Sequence, residues 1–156
     1  MCEKVKKSRQ FGNFGYLAHF FVMLDNKFEQ TEQWQIGFYK KQTREIESFV
    51  LSEPVTAVEK SRAFTHDSKD VQELDLSKVK IEFKRAIEIA NKFQEQNYKG
   101  QPPRQVIVIL QCLDSITTWN ITFITYAYST LNMKINAESG DVYKHDFGTL
   151  LHWGGK

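Results

Sequence analysis

Four histidines, two cysteines and a few alternating carboxylates are the side chains of this sequence that could do chemistry. His145, Asp146 and His152 could bring two imidazoles and a carboxylate to a metal. No HExxH string and no pair of histidines at i, i+4 supports such a site, and a surface tail is the plainer reading. His66-Asp67 with Asp70 is a second imidazole and oxygen cluster, which a solvated loop explains as well. Cys112, with Asp114 and a histidine, could supply a thiol nucleophile. A reactive thiolate needs a cationic neighbour or a helix N-terminus, whereas Cys112 follows an apolar run and reads as a core cysteine. Glu45 and Glu47 alternate on one strand face, where paired carboxylates could exchange protons; an exposed strand face is the simpler expectation. There is no GxSxG, no phosphate-cradling glycine loop and no GxGxxG. The sequence therefore predicts no catalytic residue, no metal and no cofactor, and the chain is not expected to be an enzyme.

Aromatic side chains offer a different chemistry. Trp34, Phe38, Trp119, Phe123, Tyr126 and Tyr128 form the candidate binding surface, on strands that could curve into one concave face. Such a face could take an apolar ligand or a peptide strand. The alternative is that helix and sheet bury these rings against each other.

The elements that must position these residues are read from periodicity. Trp119, Ile121 and Phe123 alternate with polar residues, as do Leu131, Met133, Ile135 and Ala137, which is the mark of strands with one buried face. Glu138-Ser139-Gly140-Asp141 is a turn, with Gly140 as its structural residue because glycine takes positive φ without steric cost. Val142-Tyr143-Lys144-His145 then pairs back antiparallel. Val106–Leu110 is a continuous apolar run, suited to a central strand covered on both faces or to a dimer contact. Phe83–Asn97 has Phe83, Ala86, Ile87, Ala90 and Phe93 on one helical face and ends at Gly100 and Pro102-Pro103. Phe14–Phe28 is predicted as a first helix from Leu17, Phe20, Phe21 and Leu24. Trp34–Tyr39 and Glu45–Leu51 are predicted as a hairpin, closed by Pro54, with a weaker strand over Val55–Thr65. Trp34-Gln35-Ile36-Gly37-Phe38 echoes Trp119-Asn120-Ile121-Thr122-Phe123. The expected fold class is α+β, as two α+β units that could be an internal duplication. Each would be one helix packed on an antiparallel β-meander. The expected divisions are 1–12 as a flexible leader, 13–75 and 76–146 as the two units, and 147–156 as a tail.

Composition narrows the class. Hydrophobic residues at 41% and aromatics at 13% allow a sizeable core and argue against disorder. A net charge of +2, with acids and bases interspersed, does not suit a nucleic-acid binder. Two cysteines, Cys2 and Cys112, are too few for a disulfide scaffold, so a reduced, cytoplasmic setting is expected and secretion is less favoured. The apolar run Tyr16–Leu24 is too short to cross a bilayer, and His19 interrupts it.

The second half resembles a PepSY domain. The residues that carry the resemblance are Val79 and Ile81, then Ala86-Ile87-Glu88-Ile89-Ala90. The hairpin Lys134-Ile135-Asn136-Ala137-Glu138-Ser139-Gly140-Asp141-Val142 completes it. It spans roughly 76–146, and departs from the family pattern at Asn136, where an acid is usual, and at Ser139, where a threonine is usual. The resemblance implies a non-catalytic binding or regulatory module, peptidase-associated, that contacts a protein or peptide. Exposed sheet edges at Val106–Leu110 or Val142–Lys144 could accept an added strand. A small apolar-ligand carrier or enzyme, with a pocket between helix and curved sheet, is the competing expectation. Homodimerisation through the apolar strand is the third.

Overall fold

From residue 15 on, the helix expected over Phe14–Phe28 is not formed; Phe14 lies outside the described residues, as does the leader expected over 1–12. The computed structural model describes residues 15–52, 56–62 and 70–150, and in it Tyr16–Leu24 is a nine-residue strand, β1. Ala18, Phe20, Val22 and Leu24 are buried in alternation along it. Apolar residues stand at both parities in β1, so the same string also satisfies helical spacing. β1 is a central strand: it pairs antiparallel with β2 (Gln35–Lys40) on one side and with β5 (Pro103–Leu113) on the other.

That pairing also overturns the two-unit architecture. β3 (Glu45–Val50) and β4 (Thr56–Arg62) continue from β2, while β6 (Ile116–Thr125), β7 (Ser129–Asn136) and β8 (Val142–Thr149) continue from β5. The result is one eight-stranded antiparallel sheet in the order β4-β3-β2-β1-β5-β6-β7-β8. Among the described residues a single α-helix packs on it, rather than one helix for each half. Val106–Leu110 is hydrogen-bonded to β1 and β6 on its two sides, so it offers no sheet edge. The W-x-I-x-F string from Trp119 lies in β6, and the one from Trp34, just before β2, runs into β2; each is the second strand of its four-stranded run.

The helix, α1, spans Phe83–Asn97 as the periodicity predicts, and buries Ala86, Ile87, Ala90 and Gln94. It lies over β6 and β7. Its approach is fixed by the preceding segment: the N–H groups of Lys80 and Ile81 both donate to the Ala137 carbonyl, at 2.9 and 2.8 Å. The Trp119 indole N–H in turn donates to the Ile81 carbonyl at 2.8 Å. Gly140 takes φ +85° in the β7–β8 turn, and its N–H donates to the Asn136 carbonyl at 2.8 Å. Beneath α1 one core runs without a break from Phe20, Ile36 and Phe49 in the first four strands to Ile121, Met133 and Ile135 in the last four.

Candidate functional site

The six aromatic residues of the candidate surface do not share a face open to solvent. Trp119 and Phe123 are core residues, 4% and 0% exposed, and Trp34 and Phe38 are partly buried against the core. Phe83 at the start of α1 joins the two tryptophans, its ring centroid 5.0 Å from Trp34 and 5.9 Å from Trp119. Burial of these rings favours apolar contact between helix and sheet over ligand stacking. Tyr126 and Tyr128 are different. They sit in the β6–β7 turn rather than on a strand, and are 56% and 59% exposed.

Two places combine exposure with organised chemistry. The first is β8. Among the described residues it is the outermost strand on its side of the sheet, and Tyr143, Lys144, His145, Asp146 and Phe147 are exposed in succession. An outermost strand leaves one row of backbone N–H and C=O groups facing outward. Against it stands an aromatic shelf from the end of α1. The Phe93 ring is 4.9 Å from His145, and Tyr98 stacks on Phe147 at 5.3 Å. The Tyr98 hydroxyl and His145 Nδ1 share a hydrogen bond of 2.7 Å, which sets the imidazole against the shelf. Lys144 and Asp146 alternate with His145 and Phe147 along the strand, so the two faces of β8 differ: one aromatic, one charged.

The second place is a cleft of about 670 Å3 where several loops converge on the end of α1. Asn91, Gln94 and Glu95 of α1 form one wall, and Lys99, Gly100, Pro102 and Pro103 lead from it into β5. Asn26 and Phe28 of the β1–β2 loop and Tyr126 of the β6–β7 turn face them. The Asn26 side-chain amide donates to the Tyr126 hydroxyl at 3.0 Å, tying the two loops together. Both loops carry a bulky residue in the left-handed region, Phe28 at φ 63° and Tyr128 at φ 55°. Such residues rarely adopt positive φ, and the surrounding structure must hold them there. In the β1–β2 loop, Asp25 does so by accepting from the N–H groups of Lys27 and Glu29, at 2.8 and 2.9 Å. No motif announced this cleft, because its residues come from separate segments. The only sequence signal was the mixture of asparagine, proline and tyrosine at the loop ends.

The other candidate chemistry resolves residue by residue. His19 lies across Gly37, and its burial holds the imidazole pKa below the ordinary range. His66 and His152 lie outside the described residues, as do Asp67 and Cys2. Cys112 is half-buried; burial pushes its thiol pKa up, and the thiol donates to Gln72 Oε1 at 3.4 Å. Glu47 is buried, not on an exposed strand face as expected, whereas Glu45 is half-buried. Asp70 accepts from the Tyr39 hydroxyl at 3.0 Å and pairs with Lys41 at 3.4 Å. With Tyr16 donating to the Val71 carbonyl, these contacts fasten the segment that leads to α1. Among the described residues no three histidine, cysteine or acidic side chains gather as a metal site. No helix among them is long and apolar enough to cross a membrane.

No family model matches the chain, and no curated protein does. Among solved structures, it is similar to a Clostridium difficile 630 protein described as a putative lipoprotein. The TM-score is 0.56 at 15% identity, covering 94% of this chain and 90% of that one. That likeness concerns the fold alone. Neither the PepSY resemblance nor the cytoplasmic setting draws support from these comparisons. The helix-and-hairpin motif behind the resemblance sits in a sheet that continues through β1 into β2, β3 and β4.

Proposed function

We propose that this protein is a non-catalytic binding module that receives an extended peptide segment along the free edge of β8. The observation that carries the reading is an outermost strand with five consecutive exposed residues, Tyr143 to Phe147, set beside an aromatic shelf. Strand addition draws its affinity from main-chain hydrogen bonds and its selectivity from alternate side chains. His145 and Phe147 would meet apolar or aromatic side chains of the added segment. Lys144 and Asp146, on the opposite face, would meet charged ones of either sign. The preferred segment therefore alternates apolar and charged residues.

Amide hydrogen exchange tests this with a panel of such peptides. Binding slows exchange at alternate β8 amides, those whose N–H groups point away from β7. Phe147→Ala weakens it by about threefold to tenfold through loss of the stacked ring. Protection that appears elsewhere in the sheet and leaves β8 unchanged overturns the proposal.

A further inference from the structure

We propose that the cleft at the end of α1 is a separate site for a neutral carbohydrate, with Tyr126 as the platform for one pyranose ring. The argument begins with charge. Glu95 and Lys99 are the ionisable side chains of opposite sign in the lining, and they offset each other, so the cleft selects for neither anion nor cation. The remaining polar groups are carboxamides and a phenol, which present donors and acceptors together. Sugar hydroxyls do the same, and vicinal pairs match the spacing of a carboxamide. The observed hydrogen bonds leave the complementary groups available. Asn26 donates its amide to Tyr126, which keeps the Asn26 carbonyl oxygen and the Tyr126 hydroxyl proton for a ligand. Asn91 donates to Glu95 Oε1 at 3.2 Å, which keeps the Asn91 carbonyl oxygen and the second carboxylate oxygen.

The apolar part of the lining fits the same ligand. Tyr126 is more than half exposed, and a pyranose ring offers an apolar C–H face to lay on such a ring. Phe28 is anchored from behind by Phe123, at 5.8 Å between ring centroids, so the loop that carries it is held in place before any ligand arrives. Strain in both flanking loops, at Phe28 and Tyr128, is where a preformed site is expected to store it. The cleft, about 670 Å3 and open to solvent, has room for a sugar ring laid on Tyr126. A peptide is the weaker occupant here, because the hydrogen-bonding groups are side-chain amides rather than a row of backbone groups. This site lies outside the β8 edge and does not depend on peptide binding there.

Titration with neutral cello-, malto- and N-acetylated chito-oligosaccharides, followed by amide chemical shifts, tests the proposal. The expected result is a saturable shift at Asn26, Asn91 and Tyr126 with at least one of these probes. Tyr126→Ala should weaken that probe by about fivefold or more. Asn91→Ala should weaken it too, and Tyr126→Phe should fall between wild type and Tyr126→Ala. Strand-adding peptides should bind all three variants as they bind the wild type. The proposal is overturned by saccharides that leave these resonances unmoved at about 10 mM, the weak end of specific recognition. Shifts that survive Tyr126→Ala, or short peptides that move these resonances instead, also overturn it.

Discussion

Gly37 has no side chain because His19 occupies its place. A Cβ built there would lie 2.3 Å from the His19 ring, where the β1–β2 register shifts between Leu17 and His19. The site is therefore a packed pair, and it can be broken from either side. Gly37→Ala should destabilise the fold by about 1–3 kcal/mol, the usual cost of overpacking. In a His19→Ala background the same substitution should cost much less. Urea midpoints of the four proteins in the cycle measure this, and additivity would show that the two residues do not share the space. The imidazole also carries a pH dependence. Burial lowers its pKa from 6.5, so as pH falls the unfolded chain takes up a proton before the folded one does. Stability should therefore fall as pH drops through 6.5 towards the folded value, then level off. Urea midpoints at several pH values, for wild type minus His19→Gln, isolate this term. A flat difference would mean that the ring is solvated.

At the scale of elements, what the sequence made legible depended on how one-sided each segment is. α1 was readable to its ends because charged residues cover one face and alanines with isoleucines the other. Ile135 and Trp119, on strands of clean alternation, are buried as that pattern requires. The helix expected over β1 fails because Leu17, Phe21 and Met23 stand on its half-buried face, opposite the buried Ala18, Phe20, Val22 and Leu24. Leu17, Phe20, Phe21 and Leu24 then match a helix by accident of spacing. The β7–β8 hairpin was readable from Gly140, and its geometry permits a direct test. A Cβ at this position would stand 3.3 Å from the terminal methyls of both Ile81 and Ile89, at a φ that L-residues avoid. Gly140→Ala should cost roughly 1–2 kcal/mol from the left-handed conformation alone, with crowding against α1 added. Thermal denaturation reads the loss, and hydrogen exchange should locate it in β8 before β7. The cleft was illegible for a reason of its own: Asn26, Asn91 and Tyr126 are far apart in sequence and meet only when the sheet order is known.

For the molecule as a whole, the decisive contact is β1 with β5. Six consecutive residue pairs, from His19↔Gln111 to Leu24↔Val106, join the first four strands to the last four. Val22 and Val108, opposite one another, are both fully buried. Separating the halves would expose this seam and cut one continuous core, so neither half has a boundary at which it could melt independently. The chain should therefore unfold in a single two-state transition. Side-chain methyl resonances place a probe in each half: Ile36 in β2 and Ile135 in β7, both buried. On stepwise addition of urea the two native signals should disappear with the same midpoint and the same slope. Amides of β1 and β5 should exchange only through that global event, while β8 amides should exchange through local fraying at lower free energy. Two resolved midpoints would restore independent units on either side of the β1–β5 seam. A single midpoint with fast-exchanging β8 would place the least stable backbone at the edge proposed to receive a partner strand, where pairing would add the most protection.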